Sequence, residues 1–518
     1  MKKIIAIIMC LTLVLVSLVY PTGVAKDDDY PFILPDAGGA MAHCDQKMSD
    51  CINLPIPEKN VNVVWQRSDV PGEYAGSKGL GFSSNGKIAA ATYSGLYNNL
   101  IIYDYDGNIL WKSGSLLNAL ACASAPMVDI YGRVIACDNK VAIMVDPFDI
   151  DLDGKILEWE SELVDGGLPI SPTIIDDGTI VIATTNGPVY AFDSLDGTLL
   201  AKRYINDNPG GGPEGGFYET INTPSVNGNR VYISTQYSED QNPANRRARL
   251  YAIDIDINAA YEDRIQIAWY YNFDGPSGAS PLLIDDTIYF DGNKSLLKDP
   301  FTVAIIDKGS YPEFKWKKPI PKPIDSSLAR DPRGGFWIVD ALNGQLIRQS
   351  EDDGSFIDII NTDEIIDEYG VHNPCSVITI CGSKERPILL NAALALDATK
   401  SSCYIIAVDL SNNNKLIWKV KIYEGGLLSV DFPFGQYPIM MKNGEPRIVF
   451  TTVRHGAWAI GSGESDEDSV SRDTNSAKSQ IRFPILYELF CRIQEKIKSS
   501  FLRKGLVSFL SNYRLRGH

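Results

Sequence analysis

The sequence predicts an all-β protein, an eight-bladed β-propeller of four-stranded antiparallel blades closed by an N-terminal strand. Three observations carry this prediction: a strand pattern recurs eight times, a tryptophan ends most copies, and one such tryptophan precedes the first copy. Beyond the propeller we expect a C-terminal amphipathic helical tail. The 518 residues are 44% hydrophobic and 22% charged, which is the composition of an ordinary globular protein.

The recurring pattern lies between Val61 and Ile460. A copy opens with a small polar residue and a proline, continues as two short apolar strands, and contains Asp-Gly or Asn-Gly turns, which favour tight hairpins. The clearest copy runs from Ser171 to Leu200. Six copies open with proline and two open without it: Ala125-Pro126, Ser171-Pro172, Thr223-Pro224, Ser280-Pro281, Asn373-Pro374 and Tyr437-Pro438, then Gly81-Phe82 and Ser327-Leu328.

Tryptophans mark the last strand of five copies: Trp111, Trp159, Trp269, Trp316 and Trp418. Trp65 occupies the same kind of strand but stands before the first copy, whereas the final copy stops one strand short. We therefore expect the strand around Trp65 to complete the last blade. Such closure leaves no free sheet edge, which protects propellers from edge-to-edge aggregation.

The segments Ala191–Gly197 and Val339–Gly344, together with the closing tryptophans, resemble the Ala-x-Asp-x-x-Thr-Gly-x-x-x-Trp docking motif of pyrroloquinoline-quinone-like propeller repeats. The resemblance covers residues 61–460 and implies the propeller fold. The motif is degenerate here, because Ala201 and Arg348 stand where two of its tryptophans belong. The family contains quinoprotein dehydrogenases and outer-membrane assembly scaffolds, so membership alone does not decide the function.

Two functions follow from this resemblance. In the quinoprotein dehydrogenases the quinone lies over the central funnel beneath a disulfide between adjacent cysteines, but this sequence has no Cys-Cys dipeptide, and no motif assigns a catalytic aspartate. We therefore expect a non-catalytic binding or scaffold protein that presents a propeller face to a protein, peptide or glycan. The alternative is a dehydrogenase that uses pyrroloquinoline quinone to oxidise alcohols or sugars.

The run from Asp149 to Glu160 has the ligand order of an EF-hand calcium loop, with carboxylates at positions 1, 3, 5 and 12 and glycine at position 6. Strands rather than helices flank it, so the Ca²⁺ would lie in a hairpin of one blade. The alternative is an acidic hairpin without an ion. The expected ligands are Asp149, Asp151, Asp153, the carbonyl of Lys155 and Glu160.

The N-terminus predicts export. Lys2 and Lys3 precede an apolar run, and the small residues at 23 and 25 predict a signal peptide over residues 1–25. An uncleaved membrane anchor is the alternative. We expect an extracytoplasmic protein of the cell envelope, either free or attached to the membrane surface. The net charge of −17 argues against nucleic acid as a partner.

Nine cysteines are present, and removal of Cys10 with the signal peptide leaves eight. An exported protein with an even number of cysteines is expected to form disulfides. Cys44 and Cys51, in the N-terminal extension of residues 26–60, are one candidate pair. Cys375 and Cys381 are the second, although the sequence does not fix the connectivity.

The composition changes after Ile460. Residues 461–480 are rich in serine and acidic residues and predict a disordered linker. Residues 481–518 are basic, with an apolar stripe at helical spacing, which predicts an amphipathic helix. Such a helix on a tether is typical of attachment to a membrane surface or a partner, and a helix that folds back onto the propeller is the alternative.

Overall fold

The computed structural model describes the chain from residue 31 to residue 472, apart from short gaps. The gaps are 68–77, 96, 119–123, 165–166, 186–187, 206–216, 221, 239–246, 274–276, 278, 293–299, 321–326, 342, 367–370, 397–399, 427–430 and 464–470. The predicted signal peptide (1–25) and helical tail (481–518) lie outside the described residues. Among the described residues, no helix has both the length and the apolar character needed to cross a membrane.

Eight antiparallel sheets follow one another along the described chain, which confirms the eight-bladed propeller. The strands of the first four blades, from the innermost to the outermost, are β3 (Lys78–Ser84), β4 (Ala89–Ser94), β5 (Leu100–Tyr103) and β6 (Ile109–Lys112); β7 (Met127–Val128), β8 (Val134–Asp138), β9 (Val141–Val145) and β10 (Leu157–Glu162); β11 (Thr173–Ile174), β12 (Ile180–Ala183), β13 (Pro188–Phe192) and β14 (Leu199–Tyr204); and β15 (Phe217–Thr220) with β16 (Ser225–Asn227), β17 (Arg230–Ser238), β18 (Arg247–Ile255) and β19 (Ile265–Phe273).

The strands of the last four blades, in the same order, are β20 (Leu282–Ile284), β21 (Thr287–Gly292), β22 (Phe301–Asp307) and β23 (Pro312–Pro319); β24 (Ala329–Arg330), β25 (Phe336–Asp340), β26 (Gln345–Gln349) and β27 (Phe356–Asn361); β28 (Val371–Pro374) with β29 (Thr379–Gly382), β30 (Pro387–Leu396), β31 (Lys400–Asp409) and β32 (Lys415–Gly426); and β33 (Pro433–Phe434) with β34 (Ile439–Lys442), β35 (Glu445–Thr452), β36 (Gly456–Ser462) and β2 (Val61–Arg67). Two short helices, Tyr261–Asp263 and Thr362–Ile365, lie in turns between blade strands.

The ring closes as the sequence predicts. β2 pairs antiparallel with β36, the third strand of blade 8, and brings Trp65 opposite Ala459. A strand from the start of the chain thus completes a sheet whose other strands come from the end of the repeats. This pairing confirms that the strand around Trp65 is the displaced outer strand.

The innermost strands of blades 4, 7 and 8 are each divided into two pieces that pair with the same second strand. In blade 7 the predicted opening of the repeat was wrong, because Asn373-Pro374 ends the first piece of the innermost strand, β28. The second piece, β29, begins at Thr379. It corresponds to the innermost strands that directly follow the openings of the other repeats. A break of four residues separates the two pieces.

Both faces of a blade are apolar, because each sheet packs against a neighbour on either side. In β30, alternate residues such as Leu390 and Leu394 lie in the core shared with blade 8, whereas Leu389 and Ala393 lie in the core shared with blade 6. This arrangement explains why second and third strands read as nearly continuous apolar runs rather than as alternating ones.

Two short strands outside the predicted repeats extend blade 7. β1 (Cys51–Ile52) pairs parallel with β29, and β37 (Ser471–Arg472) pairs parallel with the outer strand β32. The second pairing falls within the predicted linker of residues 461–480. The propeller strands themselves end at Ser462, two residues beyond the predicted limit.

Tryptophans dock five of the eight blades onto the following blade. The indole N–H donates to a group in the turn between the third and fourth strands of that blade, to the last residue of its third strand, or to the segment before β2. These bonds join Trp65 to Tyr105 O (3.1 Å), Trp159 to Ser194 O (3.2 Å), Trp269 to Asp307 Oδ1 (2.9 Å), Trp316 to Glu351 O (3.0 Å) and Trp418 to Pro57 O (2.7 Å). Trp111 packs in the core shared by blades 1 and 2.

The docked ring requires glycine in the receiving turn. Gly197 has φ +72°, and a Cβ there would lie 2.7 Å from ring carbons of Trp159 and 2.7 Å from Ser161 Oγ. Gly107 and Gly354 meet the rings of the preceding blades in the same way, at 2.7 Å. The glycine of the repeat motif is therefore a steric requirement of blade docking, in addition to a turn residue.

We predict that Gly197→Ala lowers the free energy of unfolding by about 2–4 kcal/mol, because left-handed strain and collision with the Trp159 ring add together. The control is Gly178→Ala in the same blade, where φ is +87° but only Ser194 Oγ, at 3.9 Å, lies near the added Cβ. We expect about 1 kcal/mol there from strain alone. Denaturant unfolding measures both values, and equal losses would contradict the steric explanation.

Candidate functional site

A segment from the N-terminal extension, residues 39–50, lies on the propeller axis, and we call it the hub segment. Its backbone carbonyls accept hydrogen bonds from innermost-strand amides of six blades. These bonds are Ser84 N to Gly39 O (2.8 Å), Val128 N to Ala40 O (2.7 Å), Val226 N to Gln46 O (2.7 Å), Leu283 N to Lys47 O (2.9 Å), Arg330 N to Ser49 O (2.8 Å) and Ile380 N to Asp50 O (2.8 Å).

Two glutamine side chains connect the hub segment to the remaining blades. Gln46 Nε2 donates to Ile174 O of blade 3 (2.6 Å). Gln436 of blade 8 accepts from His43 N (3.0 Å) and donates to Met41 O (2.5 Å). The hub segment therefore bonds to all eight blades, and it is buried except around Asp45–Lys47.

The small polar residue that opens a repeat joins neighbouring innermost strands. Ser171 Oγ accepts from Ala125 N (2.8 Å), and Ser327 Oγ accepts from Ser280 N (3.1 Å). The serine hydroxyl thus accepts a hydrogen bond from the backbone amide at the equivalent position of the preceding blade. The Ser-Pro signal read from the sequence is, in the structure, a contact between blades around the axis.

A buried ion pair lies within the hub segment. His43 Nδ1 is 2.9 Å from Asp50 Oδ2, and the two residues are 7% and 0% exposed. Burial raises the pKa of Asp50, and His43 only partly offsets this effect. Burial alone would lower the pKa of His43, but the charge and hydrogen bond of Asp50, together with Asn222 and the charge of Asp45, hold that pKa above its ordinary value.

His43 of this pair also contacts a serine. His43 Nε2 lies 3.4 Å from Ser327 Oγ, so Asp50, His43 and Ser327 follow one another in contact. Ser327 is 3% exposed, and its hydroxyl already accepts the Ser280 amide described above. The hydroxyl therefore has a structural partner, and the arrangement orients His43 on the axis. Sequence reasoning missed His43, because no cluster or spacing distinguishes it.

The predicted calcium loop forms the turn between β9 and β10 in blade 2. Asp149, Asp151 and Asp153 can each place one carboxylate oxygen within 4.8 Å of the others. Gly154 N donates to Asp149 Oδ1 (2.9 Å), and the Lys155 ammonium pairs with Asp153. Three of the five predicted ligands are therefore brought together.

Glu160 is not part of this group. It lies in β10 opposite Ile143 and is exposed. The segment after the turn enters a strand, so the twelfth position is carried along the blade, whereas an EF-hand enters a helix there. The described geometry therefore does not bring Glu160 together with the three aspartates.

Glu158 lies beside the three aspartates and was missed by the sequence reasoning. Burial, together with the charges of Asp151, Asp153 and Asp146, raises the pKa of Glu158 to about 7. Its Oε1 is buried and has no hydrogen-bond partner among the described residues. The sequence signal for Glu158 was its position as a further carboxylate directly before the docking tryptophan, Trp159.

Neither predicted disulfide is formed, and the six described cysteines are free thiols: Cys44, Cys51, Cys137, Cys375, Cys381 and Cys403. The members of the first pair pack in different cores, because Cys44 lies in the core between blades 7 and 8 whereas Cys51 packs against the core between blades 6 and 7. The second pair is separated along one strand. Cys381 lies opposite Ile388, and Cys375 bonds to Ala392, four residues further along β30.

Comparison with known proteins supports the resemblance seen in the sequence. A family profile described as outer membrane protein assembly factor BamB matches residues 58–306, just under half of the chain. Over these residues the chain is similar to the pyrroloquinoline-quinone-like β-propeller repeats. No curated protein matches this chain.

Solved structures of the same architecture are similar over most of the chain. A europium-containing methanol dehydrogenase is 13% identical, covers 80% of this chain and 89% of its own, and has a TM-score of 0.50. BamB from Moraxella catarrhalis is 12% identical, with coverages of 74% and 96% and a TM-score of 0.41. A quinohemoprotein alcohol dehydrogenase from Comamonas testosteroni is 12% identical, with coverages of 83% and 81% and a TM-score of 0.41. At these identities the likeness shows the fold alone.

The described hub does not fit the quinone that gives the family its name. The cofactor is a flat tricarboxylate, which needs open space and cationic or donor groups. Here the axis is filled by the hub segment, and the donors of Gln436 are already engaged by Met41 O and Phe82 O. The central charged group, Asp50, is itself an anion paired with His43.

Proposed function

We propose that this chain is an exported, non-catalytic β-propeller that presents one face to a protein partner. The observation that carries the proposal is the hub segment, which bonds to all eight blades. A cofactor on the axis at this level would have to displace it. The matching family profile is named for an assembly factor, which supports a role in binding.

The face that carries the turns between third and fourth strands has the features of a protein-binding surface. Large apolar side chains stand exposed on these turns in blades 2 to 5, and Leu152 is 82% exposed. Six of the seventeen exposed large apolar side chains of the described residues stand on these turns, and neighbouring exposed apolar groups mark interaction sites more often than single ones do. They are Phe148, Leu152, Ile156, Leu195, Tyr261 and Tyr311.

Carboxylates lie among these apolar groups. Asp149, Asp151 and Asp153 surround Leu152, and Asp196 follows Leu195 in the next blade. A complementary partner would therefore carry apolar side chains next to lysine or arginine. We propose a protein segment of this composition as the ligand, in preference to a glycan, which would need an array of free polar groups.

The test is photo-crosslinking in the native host with a photoreactive phenylalanine in place of Leu152. The control position is Tyr97, which is 49% exposed in the turn between β4 and β5, on the opposite face. We expect one protein to crosslink from position 152 and not from position 97. We also expect Phe148→Asp to reduce the yield several-fold.

Equal crosslinking from both positions, or none from position 152, would contradict the proposed face. The catalytic alternative has its own readout. Saturable binding of pyrroloquinoline quinone with calcium, followed by dye reduction with alcohols or sugars, would replace the scaffold proposal with a dehydrogenase.

We further propose that the blade 2 turn binds Ca²⁺ through Asp149, Asp151 and Asp153 and so fixes the part of the binding face around Leu152. Three carboxylates within 4.8 Å of one another support this proposal, since oxygen ligands at such spacing suit a hard cation. The strained backbone also supports it: Asp149 and Leu152 have φ of +51° and +60°.

We predict that Ca²⁺ raises the thermal midpoint of protein that has first been treated with a chelator to remove bound ions. A ligand that binds only the folded state stabilises that state by about 2.7 kcal/mol at one hundred times its Kd. Asp151→Asn should abolish the shift, whereas Asp177→Asn, in an Asp-Gly turn of blade 3, should retain it. Calorimetry with and without Ca²⁺ measures both. A shift that survives Asp151→Asn would contradict the site.

A further inference from the structure

The outer edge of blade 6 exposes an unusual amount of apolar surface. In its outermost strand, β27, Phe356, Ile357 and Ile359 are 42%, 50% and 44% exposed. No other outer strand that the structure describes carries more than two exposed large apolar side chains. The outer strands of the neighbouring blades, β23 and β32, contain three lysines each, whereas β27 contains none. Lysines on an edge strand oppose association, so blade 6 lacks this protection.

This edge suits a helix better than a further strand. A register shift between β26 and β27 leaves Ile357 without an opposite residue, so the edge is irregular. Exposed acidic residues flank the apolar side chains at both ends: Asp352 and Asp353 in the preceding turn, and Asp363 and Glu364 in the short helix that follows. A complementary ligand is therefore an amphipathic helix with an apolar stripe and basic flanks.

Residues 481–518 of this chain, which lie outside the described part, have this composition. Their apolar side chains recur at helical spacing from Leu486 to Phe501. The segment contains eight lysines and arginines but only two acidic residues, Glu488 and Glu495. The whole chain nevertheless has a net charge of −17, so the basic segment follows a strongly acidic propeller.

The described chain ends beside blade 6. Its last strand, β37, pairs with Tyr423 and Glu424 of β32 on the outer edge of blade 7. Asn414, directly before β32, donates to Asp358 Oδ2 of β27 (2.9 Å). The outer strand of blade 6 is therefore in direct contact with the blade from which the basic segment continues.

The length of the connection allows the segment to reach this edge. The fourteen residues from Arg472 to Leu486 can span about 46 Å when extended, which exceeds the length of about 40 Å that a strand of twelve residues such as β32 has. Blade 8, on the other side of blade 7, and blade 7 itself carry no exposed large apolar side chain among their described residues. Of these three blades, only blade 6 offers an apolar surface.

We propose that residues 481–518 dock as an amphipathic helix on the outer edge of blade 6 of their own chain. The apolar stripe covers Phe356, Ile357 and Ile359, and the basic side chains lie next to the flanking carboxylates. Because the segment is tethered one blade away, its effective concentration at this edge is on the order of millimolar, so a weak contact suffices. Docking also keeps the stripe from membranes, which an amphipathic helix with this basic face would otherwise bind.

The test is photo-crosslinking of the purified full-length protein with a photoreactive phenylalanine in place of Ile357. The control position is Tyr270, which is 53% exposed in the outer strand of blade 4. We expect position 357 to form an adduct with a peptide from residues 481–518 and position 270 to form none. The adduct should have the mass of one chain, with a yield independent of protein concentration. About 1 M salt, where the screening length is about 3 Å, should reduce the yield several-fold.

Two substitutions in the segment separate the stripe from the opposite side of the helix. Leu489→Asp places a charge in the stripe and should reduce the yield several-fold. Ser499→Asp adds the same charge on the opposite side, at 100° per residue, and should retain most of it. Neither position belongs to the ring, so neither change threatens propeller closure.

Three results would overturn the proposal. The first is an adduct with the mass of two chains and a yield that rises with protein concentration, which would assign the segment to a second copy. The second is equal crosslinking from positions 357 and 270. The third is no adduct at position 357 together with binding of the protein to phosphatidylglycerol vesicles through the segment, which would assign it to a membrane surface.

Discussion

The structure depends on the backbone hydrogen bonds between the hub segment and the innermost strands. Blades of a propeller contact their immediate neighbours, as repeats do generally. Without the hub segment, a blade would therefore make no contact with the blades across the ring. The hub segment changes this, because twelve consecutive residues, 39–50, bond to all eight blades. At a net of about 0.5–1.5 kcal/mol for each bond, the set rivals the stability of a whole domain.

The hub conformation is costly outside the closed ring. His43, Cys44, Met48 and Asp50 all have positive φ, between 49° and 73°, which residues other than glycine adopt only at a cost. The His43–Asp50 pair is also buried, so its charges lose their hydration. These costs are offset only when the surrounding blades supply their amides and side chains. The hub segment and the ring therefore stabilise each other.

The ring itself could be predicted because its signals are local. Asp-Gly turns, closing tryptophans and β-branched runs recur at blade spacing, and the misplaced Trp65 fixed the closure. The hub segment could not, because residues 26–60 show no periodicity and their partners are scattered along the sequence. The bond from His43 to Gln436 spans 393 positions. Only the assembled ring brings such residues together.

The site predictions failed where they depended on strand geometry. The three aspartates of the blade 2 turn could be grouped from the sequence because they lie within five residues, whereas Glu160 lies outside their group because a strand follows the turn. The disulfide pairs were chosen by closeness in sequence. In the folded chain Cys44 and Cys51 pack in different cores, and strand length separates Cys375 from Cys381.

Amide hydrogen exchange of the intact protein tests the hub segment most directly. The amides of Ser84, Val128, Leu283 and Ile380 point to the axis, where, among the described residues, the hub segment accepts their hydrogen bonds. We predict that they exchange as slowly as second-strand amides of the same blades, through global unfolding. Rapid exchange at these four positions, with the second strands still protected, would show an axis open to water and would contradict the account.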